Sequence, residues 1–334
     1  MKRKPLIIGA IFLAIGLTAF LSGPVPPDPT YTFKLPEVSE NLYRLESKIE
    51  ASESSHKLRE NNHARIIWHH ETKTKTEYSI VYLHGFAGSF MDGYPLNKNI
   101  ADSLGANLYL TRMAGHGKKP AYALENFTAE NAWQSAKKAL AIGEQIGEKV
   151  ILMSTSTGGT LSLFLAAHYP DRVAGLINIS PNIKDDQFGA FLLNTPWGME
   201  IAHLVSLGEY KKIEHESNIA SQYWDTIYPA EALVNLQVLV NSTMTESTFK
   251  NVKCPVLTMF YYEDFWDEDE HVEVSVYDEK HKLLGTPEEE VDLVALDEPK
   301  THFIGSAIKS EDYKTAQNPA ITFIREHIME NQEQ

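Results

Sequence analysis

One junction constrains this chain more than any other feature: the apolar strand formers Val150, Ile151, Leu152 and Met153 run directly into Ser154-Thr155-Ser156-Thr157-Gly158, and a helical stretch from Gly158 to His168 starts there. A strand that becomes a helix without a loop must turn a sharp, strained corner. Such a corner tolerates only small side chains two residues before and after its apex. Gly158 meets that demand fully and Ser154 adequately, which leaves Ser156 at the apex. A serine hydroxyl is a weak nucleophile until a base takes its proton and the fold holds it exposed. The junction points to chemistry more firmly if other segments bring a base and a site for developing negative charge; alone it can also be read as a Ser/Thr/Gly turn.

A second such segment is Leu83-His84-Gly85-Phe86-Ala87-Gly88-Ser89, which follows another buried-strand run, Ile80 to Leu83. Acyl transfer builds charge on a carbonyl oxygen, and two backbone N–H groups aimed at it are the usual stabiliser. A His-Gly turn at a strand end can present one from Phe86, and the residue after the serine, Thr157, can present the other. Asn107 to Met113 then reads as a strand leading into Ala114-Gly115-His116-Gly117, in which His116 is read as structural. After the helix, Pro170 stops the chain and Ala174 to Ile179 reads as a further buried parallel strand.

These motifs together resemble the α/β-hydrolase superfamily, from about Tyr78 to the C-terminus, and within it the group of monoacylglycerol lipases, lysophospholipases and carboxylesterases, with the serine aminopeptidases alongside. The resemblance implies an α/β fold: a mostly parallel central sheet flanked by helices, with a helical cap inserted after strand 6. It also implies a triad in the chain order Ser, Asp or Glu, His. Pro255 to Phe260 is the next strand-like run, and Glu263, Asp264, Asp267, Glu268, Asp269 and Glu270 crowd the loop behind it. In related enzymes this strand reads Pro-Val-Leu, then a glycine, then an aspartate three residues on. Counting from Pro255 puts Tyr261 at the glycine and Asp264 at the acid, with Asp267 as runner-up and the other acids as a solvated face. Val291 to Leu296 reads as the last strand, and of the 13 histidines only His302 falls in the loop after it, before a closing helix. The implied site is therefore Ser156, Asp264 and His302, with the amides of Phe86 and Thr157 as oxyanion donors and neither metal nor cofactor. An epoxide hydrolase or dehalogenase on this fold would need an aspartate at position 156, which excludes both.

Between Ile179 and Pro255 the chain spends roughly 75 residues, far more than an ordinary helix-to-strand connection. The expected organisation is a core of residues 31–183 and 252–334, a cap at 184–251, and an N-terminal segment at 1–30. In the cap, Trp197, Ile201, Leu204 and Val205, then Leu233, Leu236 and Val240, recur at helical spacing, with Phe188, Phe191, Tyr223, Trp224 and Tyr228 around them. The expected substrate is a small-molecule acyl ester. Aminopeptidase or thioesterase activity is an alternative, the former needing a cap carboxylate among Glu200, Glu209, Glu214, Glu216, Asp225 and Glu231. A non-catalytic binding module is a further one.

At the N-terminus, Met1 to Pro5 is basic and Leu6 to Gly23 is uncharged, which at about 1.5 Å per residue spans about 27 Å. This predicts an uncleaved anchor, with a cleaved export signal as the alternative, membrane contact through the segment, and a catalytic domain on the non-cytoplasmic side. Pro24 to Pro29 reads as an extended spacer, and Glu37 to Ala51 as an amphipathic helix, with Ser52 to Glu60 too polar for the core. A formal charge of −15 argues against a nucleic-acid partner, since phosphate binding needs clustered Lys and Arg. Cys254 is the only cysteine, so the chain cannot form an internal disulfide.

Overall fold

The computed structural model describes residues 4–187 and 189–329; Phe188, one of the expected cap aromatics, lies outside them. Among the described residues ten strands form in chain order: β1 Arg65–Ile67, β2 Thr76–Leu83, β3 Asn107–Leu110, β4 Gly147–Thr155, β5 Val173–Ile179, β6 Tyr210–Lys212, β7 Ile227–Pro229, β8 Val256–Asp264, β9 Asp267–Glu268 and β10 Val291–Leu296. The main sheet runs β1-β3-β2-β4-β5-β8-β10, with β9 folded back on β8. Strands β2, β3, β4, β5, β8 and β10 are mutually parallel, and β1 joins β3 antiparallel.

The helices are α1 Lys4–Leu21, α2 Leu42–Ser54, α3 Leu96–Leu104, α4 Ala129–Ile146, α5 Thr157–His168, α6 Gly198–Val205, α7 Asn218–Tyr223, α8 Glu231–Thr243, α9 Glu246–Asn251, α10 Tyr277–His281 and α11 Gln317–Phe323. Because successive strand side chains point to opposite faces, each parallel strand feeds two cores. Val81, Leu83, Val150 and Leu152 join Trp133 of α4 and Phe164 of α5 on one face. Ile80, Tyr82, Ile151 and Met153 join Ile100 of α3 and Phe323 of α11 on the other. A sheet covered on both faces needs continuous apolar runs rather than alternation, which is why β2, β4 and β5 are legible as strands from composition alone. All the strands expected for the main sheet form.

Four expectations are corrected. The long excursion that leaves the sheet after β5 is not purely helical: β6 and β7 pair antiparallel within it. Glu53, expected in a stretch too polar for the core, is buried; it holds Arg112 by Nε to Oε2 at 2.6 Å and Nη2 to Oε1 at 2.9 Å and accepts from the Ala64 amide. Finally, among the described residues no helix is long and apolar enough to cross a membrane, so the expected anchor and its membrane contact are not supported. Nor is the proline segment a free spacer. Pro24 accepts from the Trp197 amide, Trp197 Nε1 donates to the Ala19 and Phe20 carbonyls, and Lys137 Nζ holds Thr32 and Lys34, so the segment lies along the body.

Candidate active site

Parallel strands end on one edge of the sheet, and loops at that carboxyl edge are where α/β folds carry sites. Ser156 follows β4, Ser180 follows β5, Asp269 follows the β8–β9 hairpin and His302 follows β10, so adjacent strands bring these residues to a common edge.

Ser156 sits at φ 55°, ψ −120°, a conformation L-residues rarely adopt and hold only where the surroundings impose it. Four hydrogen bonds impose it here: its amide donates to Ile179 O at 3.0 Å, and its carbonyl accepts from Gly159, Thr160 and Asn182 at 2.7, 3.3 and 2.9 Å. The corner also explains the glycine. A Cβ on Gly158 would lie 1.9 Å from the Leu83 carbonyl oxygen, so α5 can start against the end of β2 only with no side chain there.

The loop from His84 to Ser89 is clamped against the loop of Gly115 to Gly117 by two histidines that cross over. Met113 N–H donates to His84 Nε2 at 3.0 Å, and Ala87 N–H donates to His116 Nε2 at 3.0 Å. An Nε2 that accepts leaves the ring proton on Nδ1, which donates to Gly85 O from His84 and to Ala114 O from His116, both at 2.9 Å. Both rings are therefore neutral. Burial pushes His84 down to about 4 and His116 well below the ordinary histidine value, the latter aided by His84 itself. His116 is structural, as expected. Since the Gly85 carbonyl is held by His84, the Phe86 N–H of that trans peptide points the opposite way. Among the described residues neither the Phe86 nor the Thr157 N–H has an acceptor within the fold.

His302 is buried, and its Nδ1 lies 2.9 and 2.8 Å from the two carboxylate oxygens of Asp269. Asp269 also accepts from the amides of His271 at 2.9 Å and Val272 at 3.3 Å. Burial alone would raise its pKa. The charge and hydrogen bond of His302, with the His271 amide and the Ser180 hydroxyl, reverse that and hold it below the ordinary carboxylate range. The acid loop is fastened to the chain after β5 by Asp186 N–H to His271 O and Glu273 N–H to Lys184 O.

The structure does not bring Asp264 to His302. Asp264 is exposed, and its carboxylate accepts from the Trp266 amide at 2.7 Å. Asp267 is exposed too, and accepts from the Tyr261 hydroxyl. The count from Pro255 fails because β8 does not stop where the count assumes. It continues to Asp264, reverses at Phe265-Trp266, and pairs with β9 through Tyr262 opposite Glu268, so the chain comes back toward the sheet before releasing its acid. Asp269, assigned to a solvated face, is the residue sequence reasoning missed. The available signal was the hairpin itself, with strand-forming aromatics on its outward arm and acids on both arms.

A separate cavity of about 530 Å³ opens at the opposite end of the strands, lined by Glu144, Lys149, Arg172 and Cys254 among others. It shares no residue with the edge carrying Ser156.

Residues 78–209 match the family model of the α/β-hydrolase fold. The chain is 27% identical over 186 residues to a thermostable monoacylglycerol lipase of Bacillus sp. (strain H-257), a match covering 55% of this chain and 70% of that protein. Among solved structures, one described as LipS and LipT, two metagenome-derived lipolytic enzymes, superposes with TM-score 0.64 at 19% identity, over 81% of this chain and 100% of that one. The monoacylglycerol lipase of Paleococcus ferrophilus superposes with TM-score 0.58 at 14% identity, over 79% of this chain and 98% of that one.

Proposed function

We propose that the chain is a member of the α/β-hydrolase superfamily and a serine hydrolase of carboxylic esters working through an acyl-enzyme. The observation that carries this is the buried pair of His302 Nδ1 and Asp269 at the sheet edge that also carries the strained corner of Ser156. With Nδ1–H committed to Asp269, Nε2 is the free base. It takes the Ser156 proton as Oγ attacks the ester carbonyl, and Asp269 steadies the imidazolium without taking the proton itself. The Phe86 and Thr157 amides receive the oxyanion. Collapse expels the alcohol, which leaves with the proton from Nε2. Water then attacks the acyl-enzyme with the same base, and the carboxylic acid departs as Ser156 recovers its proton.

The similarity to proteins named monoacylglycerol lipases and lipolytic enzymes favours acyl glycerols or related esters as substrates. Residues 184–251 act as a cap over a core of residues 31–183 and 252–334. An aminopeptidase reading weakens on the cap acids: Asp225 is bound by Arg59, Glu216 by Lys309 and Glu231 by His203, while Glu200, Glu209 and Glu214 are exposed.

The test is a panel of p-nitrophenyl and glycerol esters of rising chain length on the wild type beside Ser156→Ala. Turnover should fall at least about a thousandfold in the variant, and a fluorophosphonate probe should label the wild type alone. Retention of turnover by Ser156→Ala sinks the reading.

A further inference from the structure

Three consecutive amides of the loop after β2 have different fates. Gly85 N–H donates to Asp92 Oδ2 at 2.7 Å, Phe86 N–H is left for substrate, and Ala87 N–H is held by His116. Asp92 is fully buried although it carries a carboxyl group. A Cβ on Gly85 would lie 3.0 Å from Ser156 Cβ and 3.1 Å from Asp92 Oδ2, so the serine and this carboxylate flank the same glycine. The next carbonyl of the loop, that of Ala87, accepts from Asp225 N–H at 2.7 Å, and the Asp225 carboxylate meets Arg59 Nη2 at 2.7 Å.

A buried carboxylate is costly to keep ionised, and a fold needing only an acceptor for Gly85 could use a neutral amide or hydroxyl. What the carboxylate adds is strength: a charge-assisted hydrogen bond is about twice as strong as a neutral one. We propose that Asp92 is a positioning residue for the oxyanion hole, holding Gly85 as a carboxylate so that the Phe86 N–H stays aimed at the reacting carbonyl, and loosening that aim when it takes up a proton. The inference rests on the proposed role of Phe86 as an oxyanion donor.

The charged and titratable groups facing Asp92 are His302 after β10, Asp225 with its partner Arg59, and Tyr82 of β2, with the Trp224 indole and the Ser89 amide as polar neighbours. Burial raises Asp92 to about 7, against the pull of the Gly85 amide and His302. Burial also raises Asp225 to about 7, with Arg59 opposing and Asp92 reinforcing. Protonation of Asp92 thus falls within the working range of an esterase and should add to the loss of activity on the acid side of the pH profile.

Asp92→Asn tests this, because asparagine is the isostere of the protonated carboxyl. Relative to wild type at pH 8, kcat should fall about tenfold to a hundredfold with KM changed less than about twofold, the signature of an interaction made in the transition state. Inhibition by a trifluoromethyl ketone, which forms an oxyanion on Ser156, should weaken by the same factor. The acid limb of log kcat/KM should be steeper in the wild type than in Asp92→Asn. Unchanged kcat, or an equal limb in both proteins, overturns the proposal. Should the variant fail to fold, a wild-type acid limb with slope no greater than one overturns it and a slope between one and two supports it. Loss of turnover in Ser156→Ala with none of these effects at position 92 rejects this inference alone, whereas active Ser156→Ala rejects the underlying function.

Discussion

Asp264 and Asp269 lie in one acidic loop, yet only Asp269 is desolvated, and that difference decides which of them can hold an imidazole. An exposed carboxylate gains little from pairing with His302 because water screens both charges. Asp269 is 1% exposed, and its remaining lone pairs are taken by backbone amides, so its charge acts on the ring at close range. Replacing it with asparagine removes the charge and favours the wrong ring tautomer, and kcat should drop about a thousandfold or more. Asp264→Asn should leave kcat within about threefold, because its carboxylate only accepts from the Trp266 amide. Parallel esterase assays on the two variants decide the matter; a greater loss from Asp264→Asn contradicts the assignment. Ser156 and His302 could be placed from sequence because their positions are set by local signals, a strand-to-helix corner and a lone histidine in the loop between the last strand and the closing helix. The acid could not, since it depends on where a strand of β-forming aromatics chooses to reverse, and six carboxylates offer no local contrast.

Among the elements, the same division between local and long-range information recurs. Helix α5 and the parallel strands are written in apolar runs of the right length, whereas the course of the N-terminal segment depends on partners a hundred residues away. Lys137 of α4 is the chief of these. Its buried ammonium donates to Thr32 O at 2.6 Å, Thr32 Oγ1 at 3.0 Å and Lys34 O at 3.0 Å, while Trp133 Nε1 donates to Thr32 O at 2.9 Å. A lysine in a helix otherwise rich in alanine reads as a solvated charge, and nothing nearby in sequence says that three acceptors will saturate it. Lys137→Met fills the space but strands those acceptors, and hydrogen bonds to charged groups contribute about 1.5–3 kcal/mol each before desolvation is subtracted. The expected net loss is about 2 kcal/mol, with new proteolytic cleavage between Pro29 and Leu35 in the native state. Unaltered protection of that segment would show that the aromatic cluster of Tyr31, Phe33, Trp133 and Phe164 suffices to hold it.

For the whole molecule, the buried ionisable groups set how stability depends on pH, and they pull in opposite directions. Burial holds His84 and His271 down to about 4 and His116 lower still. In the unfolded chain these rings gain protons near 6.5. As pH falls from 6.5 toward 4 the unfolded chain binds protons that the fold refuses, and stability is lost. Asp92 and Asp225, raised to about 7, do the reverse: the fold binds protons that the unfolded chain has released, so these two add stability as pH falls from 7 toward 4. From 7 to 6.5 the aspartates lead and stability rises on acidification; below 6.5 these three histidine protons, with those of His281 and His215, which burial also lowers, outweigh the aspartates and stability is lost. Urea unfolding across this range should therefore show a maximum near pH 6.5 and a decline toward pH 5. His116→Asn keeps an oxygen to accept from the Ala87 amide but removes one of these histidine protons, which should flatten the decline. A wild-type curve that keeps climbing down to pH 5, or an asparagine variant with undiminished slope, would mean that the crossed histidine clamp is not what sets the acid side of the stability profile.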